Sequence, residues 1–210
     1  MTTPPPLLKT LLCDMGNVLV FFCHERMCRQ IGELCGRTAD EIRQYLLDSS
    51  LQWEFERGFI DERKLHARLQ KVLDCSLDYS ELVQATADIF ELNSTMLPVL
   101  SALKEQGVRL VLFSNTCISH VRFIRNRWNI LDLFDHLVLS YEVGAVKPED
   151  EIYWAGLKAI DCAPEECLYV DDIAAYVEKG QTFGLHAEVF TSTAAFVRTL
   201  ADYGIHGLPG

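Results

Sequence analysis

The sequence predicts an α/β fold, a doubly wound parallel sheet with a small helical cap inserted after the first strand. Short apolar runs alternate with helical patterns through the second half of the chain, as successive strand and helix units do. One further apolar run near the N-terminus is separated from the others by a long stretch that reads only as helix. The chain has 210 residues, of which 49% are hydrophobic, enough to bury one α/β core and leave material for an insertion.

The elements follow in order. Residues 1–6, with Pro4-Pro5-Pro6, read as a flexible tail. The apolar run Leu7 to Cys13 stops at Asp14-Met15-Gly16-Asn17, as a buried parallel strand entering a tight turn would. From His24 to about Phe90 the apolar period is helical, with Met27, Ile31 and Leu34 on one face and Leu65, Leu69 and Val72 on another. Thr38 and Glu41 have capping-box spacing, and Asp61 and Ser80 are expected N-caps. These patterns predict a helical cap over 21–94, set between core segments 7–20 and 95–205.

Met96 to Gln106 reads as a helix stopped by Gly107, and Val108 to Phe113 as a strand ending at Ser114-Asn115-Thr116. A helix over Ile118 to Asn126 leads to a strand over Leu137 to Ser140, then to a loop carrying Lys147-Pro148. A helix through Ile152, Tyr153 and Leu157 precedes the strand Cys167 to Val170, which runs into Asp171-Asp172. The last elements are a helix stopped by Gly184, a strand over Ala187 to Phe190, and a helix around Phe196 and Leu200.

Composition narrows the partners. A formal charge of -11 and a pI of about 4.9 disfavour a nucleic-acid backbone, which clustered lysines and arginines would have to meet. A small anionic metabolite is compatible only if the site brings its own cation. The eight cysteines form no CxxC pair and read as reduced core residues rather than a zinc site. No basic leader precedes an apolar segment and no run of 18 apolar residues occurs, so a cytoplasmic protein without membrane association is expected. Oligomeric state is left open.

In a doubly wound sheet, ligands bind at the carboxyl ends of the strands. Asp14, Ser114-Asn115-Thr116, Lys147 and Asp171-Asp172 all belong there or in the adjoining loops. Singly, each has a plain structural reading as a turn former, a helix cap or a surface loop. Jointly they suit phosphoryl transfer. The Asp14 carboxylate is the expected nucleophile. A magnesium ion would be held by Asp14, the Gly16 carbonyl, and Asp172 or Asp171. The Ser114 hydroxyl, nearby backbone N–H groups and the Lys147 ammonium would take the charge on the transferring phosphoryl oxygens.

Those motifs resemble the haloacid dehalogenase superfamily, in Asp14-Met15-Gly16-Asn17-Val18-Leu19, Ser114-Asn115-Thr116, Lys147-Pro148 and Tyr169-Val170-Asp171-Asp172. Val143 to Glu149 and Phe55-Glu56-Arg57-Gly58 resemble its subgroup with a helical cap after the first strand. The spelling Asp-x-Gly-Asn is similar to that of α-D-glucose-1-phosphate phosphatases and the phosphatase-like N-terminal part of epoxide hydrolases. The resemblance implies a Rossmann-like core, a phosphoaspartyl intermediate on Asp14 and Mg2+ as cofactor, with Asp172 the preferred direct ligand. It further implies catalytic roles for Asp14, Ser114 and Lys147, and phosphate or substrate contacts from Ser114, Asn115, Lys147, Arg57 and His24.

Two positions depart from that pattern. Most phosphatases of the superfamily carry a general acid/base Asp where this chain has Gly16, and relatives carry Asn where it has Tyr176, which is expected to disturb the helix after the metal loop. A general acid contributes a factor of about 10² to 10⁴, so its absence favours leaving oxygens that need little help, such as the anomeric oxygen of a sugar 1-phosphate. His24, Trp53, Glu56 and Arg57 are the cap residues expected to face the site. Two alternatives stand beside a phosphatase of small phosphorylated metabolites: a metal-independent dehalogenase-type hydrolase, and a weakly active phosphometabolite-binding or interaction protein.

Overall fold

The computed structural model describes residues 8–209; the expected tail and Leu7 lie outside the described residues. Five strands, β1 (Thr10–Cys13), β4 (Arg109–Ser114), β5 (His136–Leu139), β6 (Cys167–Asp171) and β7 (His186–Val189), form one sheet in the order β5-β4-β1-β6-β7. Every pairing in it is parallel. The chain therefore leaves β1 toward one edge and returns to its other side. That reversal opens a crevice at the carboxyl ends of β1, β4 and β6.

Period-two alternation sorts the strand side chains into two buried layers. Leu11, Leu110, Leu112, Leu168 and Val170 face the layer covered by α6 (Met96–Glu105), α7 (Ile118–Arg127) and α11 (Thr193–Asp202). Leu12, Val111, Phe113, Cys167 and Tyr169 face α9 (Asp150–Ala159) and α10 (Ala174–Thr182). With both faces covered, the strands read as near-continuous apolar runs. A single-turn helix, α8 (Ser140–Val143), follows β5.

Between β1 and β4 lie α1 (His24–Cys35), α2 (Ala39–Leu46), α3 (Leu51–Glu56), α4 (Glu62–Leu73) and α5 (Tyr79–Ala87). They are flanked by an antiparallel ribbon of β2 (Val20–Phe22) and β3 (Phe90–Leu92), which pairs Val20 with Leu92 and Phe22 with Phe90. Three-residue strands carry too little periodicity to be read from sequence, and this ribbon was not expected. Ile31, Ile42, Leu46 and Leu69 of the helical segment belong to the same apolar cluster as Leu11 and Leu112, so the insertion packs on the core without a separate interior.

Local expectations fare unevenly. Thr38 and Glu41 form the expected capping box, and Asp61 caps α4 by accepting the Lys64 N–H at 2.8 Å. Asp78, rather than Ser80, caps α5: its carboxylate accepts the N–H groups of Ser80 and Glu81 at 2.8 and 3.0 Å, and a charged acceptor there outcompetes a hydroxyl inside the first turn. On α4 the buried face is Leu65, Leu69 and Leu73, while Val72, one position off that i, i+4 row, is 47% exposed. Ser140 opens α8 instead of ending the strand. Cys13, Cys28, Cys117 and Cys167 are buried and all eight cysteines are free, but Cys23 is exposed, its sulfur capping α1. No helix among the described residues is long and apolar enough to cross a membrane.

Candidate active site

The Asp14 N–H donates to the Val170 carbonyl at 3.0 Å, extending the β1–β6 ladder by one residue and fixing the side chain at the carboxyl edge of the sheet. The chain then turns tightly. Leu19 and Val20 both donate to the Met15 carbonyl, and Asn17 adopts the left-handed region (φ 52°), which Asn tolerates better than most residues. Asn17 Nδ2 also donates to Asp172 Oδ2 at 2.9 Å, which ties the turn after β1 to the acid after β6.

Lys147 is the electrostatic centre. It is 1% exposed, and its Nζ donates to Asp14 Oδ1 at 2.7 Å, Asp171 Oδ2 at 2.5 Å and the Phe113 carbonyl at 2.9 Å, so all three N–H bonds are used. Phe113 and Tyr176 present ring faces 5.1 and 5.4 Å from the ammonium. Burial works to lower the lysine pKa, but Asp14 and Asp171 outweigh it and hold the group charged. Burial pushes the Asp14 carboxyl up to about 7, with Lys147 pulling against it.

Asp171 has little capacity left. Its Oδ2 accepts from Lys147 and from the Tyr169 hydroxyl at 2.6 Å, and its Oδ1 accepts the Ile173 N–H at 2.9 Å. Asp172 is half-buried and lines the open cavity, as do Asp14 and Gly16. Asp14, Asp171 and Asp172 each offer an oxygen within 4.8 Å of the others. Three carboxylates less one ammonium leave a formal excess of two negative charges, and an all-oxygen set of this kind fits a hard dication such as Mg2+.

The cavity, about 180 Å³, is lined by these groups together with Phe22, His24, Trp53, Glu56, Phe90 and Tyr176. Ser114, buried at the end of β4, and Asn115 also line it. So does Thr116, whose Oγ1 is a buried side-chain oxygen without a hydrogen-bond partner among the described residues. A group entering the cavity would find a donor there.

Two residues expected to contact phosphate or substrate, Asn115 and Arg57, have partners within the protein. Asn115 spends both ends of its amide on the lysine loop: Oδ1 accepts the Lys147 N–H at 2.7 Å and Nδ2 donates to the Lys147 carbonyl at 3.1 Å. Its amide thereby clamps the backbone of the lysine loop. Arg57 lies outside the cavity lining, in an ion pair with Glu149 and 5.7 Å from the Trp53 ring centroid. Tyr176 leaves α10 regular, its carbonyl taking the Tyr153 hydroxyl at 2.8 Å. His24 does line the cavity, packed on the Phe22 ring at 4.9 Å, and burial with nearby Arg43 lowers its pKa.

Sequence reasoning missed His120 and Phe22. His120 is 7% exposed on α7, with Nε2 3.2 Å from the Thr86 carbonyl and its ring 5.0 Å from that of Phe90; burial lowers its pKa to about 4. Nothing local in the sequence separates it from an ordinary helix residue. Phe22 explains Gly16, because a Cβ at residue 16 would stand 2.9 Å from the Phe22 ring.

Comparison with known proteins agrees with this architecture. Residues 8–184 match the family model for haloacid dehalogenase-like hydrolases. The phosphatase MT3486 of Mycobacterium tuberculosis is 30% identical over 157 residues, which span 74% of this chain and 67% of that protein. The D-ribitol-5-phosphate phosphatase of Bacteroides thetaiotaomicron is 24% identical over 185 residues, 85% of this chain and 89% of that one. A HAD family enzyme from the same bacterium, solved with magnesium and inorganic phosphate, superposes with a TM-score of 0.80 at 22% identity, covering 89% of this chain and 96% of its own.

Proposed function

We infer the reaction from the premise that this chain belongs to the haloacid dehalogenase-like hydrolases: Mg2+-dependent hydrolysis of a small phosphate monoester through a phosphoaspartyl intermediate on Asp14. The observation that carries this reading is the buried Asp14–Lys147–Asp171 group, with Asp172 beside it, at the mouth of a cavity holding an unpartnered hydroxyl.

Lys147 occupies Asp14 Oδ1, so Oδ2, 3.7 Å from where a residue-16 Cβ would stand, is the oxygen left to attack phosphorus. The Ser114 and Thr116 hydroxyls receive the phosphoryl oxygens, the Lys147 ammonium adds positive charge beside them with its N–H bonds committed to the core, and Asn115 holds the lysine backbone in register. Asp14, the Gly16 carbonyl and Asp172, or Asp171, would hold magnesium. When bound, it supplies positive charge that lets a carboxylate approach a phosphate dianion. The helical segment 21–94 acts as the cap, closing the cavity and choosing the organic group.

With Gly16 backed by Phe22, the core offers no proton to the departing oxygen. Esters of readily departing oxygens, sugar 1-phosphates among them, are the substrates favoured. A panel of phosphorylated metabolites with Mg2+ tests this: glucose 1-phosphate should turn over at least about 10-fold faster than glycerol phosphate, and Asp14→Asn should turn over neither. Equal rates on the two esters would reject the substrate preference. Phosphate-ester turnover that survives a chelator would reject the metal dependence, and halide release from a 2-haloacid that survives it would favour dehalogenase-type chemistry.

A further inference from the structure

Residue 16 cannot donate a proton, yet the cavity contains another carboxyl group. Glu56, at the end of α3, lines the same cavity as the Asp14 group. Its placement is built rather than incidental, because the chain around it is fastened to the core at consecutive residues. Ser140 Oγ donates to the Glu56 carbonyl at 2.6 Å. Arg57 pairs with Glu149, whose Oε2 accepts the Val146 N–H at 2.9 Å, next to Lys147. Gly58 (φ 70°) lies so close to α8 that a Cβ there would stand 2.2 Å from the Tyr141 carbonyl oxygen.

The side chain is held as well. Gln52, itself 8% exposed and one turn earlier on α3, donates from Nε2 to Glu56 Oε1 at 2.6 Å, while Oε2 has no hydrogen bond among the described residues. We propose that Glu56 is the proton donor to the leaving oxygen, taking from the cap the role that Gly16 leaves vacant on the core; this rests on the phosphatase reading above.

Other titratable groups facing that space suit the task less. Burial raises the Glu56 pKa against the pull of Gln52 and neighbouring Arg57, which favours a carboxylic acid ready to donate. His120, at about 4, is neutral at physiological pH, and its Nε2 faces the Thr86 carbonyl. His24 is also shifted toward neutrality, and burial raises Tyr176 further above the working range.

The step balances. Asp14 Oδ2 bonds to phosphorus as the ester P–O bond breaks, and the departing oxygen takes the electron pair and the Glu56 proton. The Glu56 carboxylate then accepts a proton from the water whose oxygen attacks phosphorus. The P–O bond to Asp14 breaks, releasing inorganic phosphate and restoring both carboxyl groups.

The test compares wild type with Glu56→Gln on 4-nitrophenyl phosphate, whose leaving group needs no proton, and glucose 1-phosphate, whose anomeric oxygen needs less help than an alkyl alcohol's but far more than nitrophenolate, both with Mg2+. For Glu56→Gln, kcat/KM, which reads only the steps up to loss of the leaving group, should stay within about 3-fold of wild type on the nitrophenyl ester and fall about 10²-fold on the sugar ester, while kcat on both esters falls because the water step loses its base. The retained nitrophenyl kcat/KM serves as the folding control. Glu56→Ala should show the same split, and Glu56→Asp should recover part of the sugar-ester rate. Equal losses of kcat/KM on both esters, or no loss on either, would overturn the assignment while leaving an active wild type as a phosphatase. A wild type inactive on both esters would overturn the phosphatase reading, and this assignment with it.

Discussion

The two walls of the cavity are built differently. On the core wall, Asp14, Lys147 and Asp171 are 6%, 1% and 0% exposed, and charge-assisted hydrogen bonds join the ends of β1 and β6 to the loop after α8. On the cap wall, Phe22, His24 and Glu56 are half-buried and Trp53 is 42% exposed, held mainly by ring packing and by the fastening of α3. A dry, pre-organised wall stabilises charge that appears at one fixed point. A wetter wall with fewer constraints can change its fit to an organic group without disturbing that point. Fixed chemistry and adjustable choice are thereby separated within one cavity.

The sharpest way to break this contrast is at the core wall. Asp14→Asn should abolish turnover, at least about a 10³-fold loss and so about 4 kcal/mol of transition-state stabilisation, read as phosphate release with Mg2+. Lys147→Met should cost roughly 3–5 kcal/mol of folding stability in urea unfolding, because it leaves two buried carboxylates facing each other without a cation.

Where the walls meet, His120 provides a pH test. Its folded pKa of about 4 lies below the usual 6.5, so the unfolded chain binds the proton more readily and the protein loses stability as pH falls through that window. The loss should reach roughly 2–3 kcal/mol between pH 7 and pH 4, seen as a smaller drop in His120→Gln than in wild type. The smallest effect belongs to the cap wall. Trp53→Ala should raise KM by up to about 10-fold, leave kcat nearly unchanged and cost under about 1 kcal/mol of stability. A Trp53 variant as damaging as Asp14→Asn would erase the distinction between the walls.

The core wall was legible because its residues occupy positions that local patterns define. Asp14 follows an apolar run, Ser114 closes another, and Asp171-Asp172 closes a third, so a parallel sheet must bring them to one edge. The cap wall was legible only as helices. The Arg57–Glu149 pair spans 92 residues and the Asn115 clamp on Lys147 spans 32; no periodicity announces either. Val72 against Leu73 shows the same limit at short range, since a one-residue error in helix phase moves a side chain from core to solvent.

By itself, then, the sequence determined the α/β alternation, the parallel sheet and the acid, hydroxyl and lysine residues at its carboxyl edge. Hydrophobic period and strand-end chemistry are local properties of the chain. Tertiary structure alone decided that Lys147 is buried between two carboxylates, that Phe22 fills the space an acid at residue 16 would need, and that Glu56 faces the site. Those outcomes depend on desolvation and on contacts between residues far apart in the chain, and they arise only once the cap and the sheet have packed together.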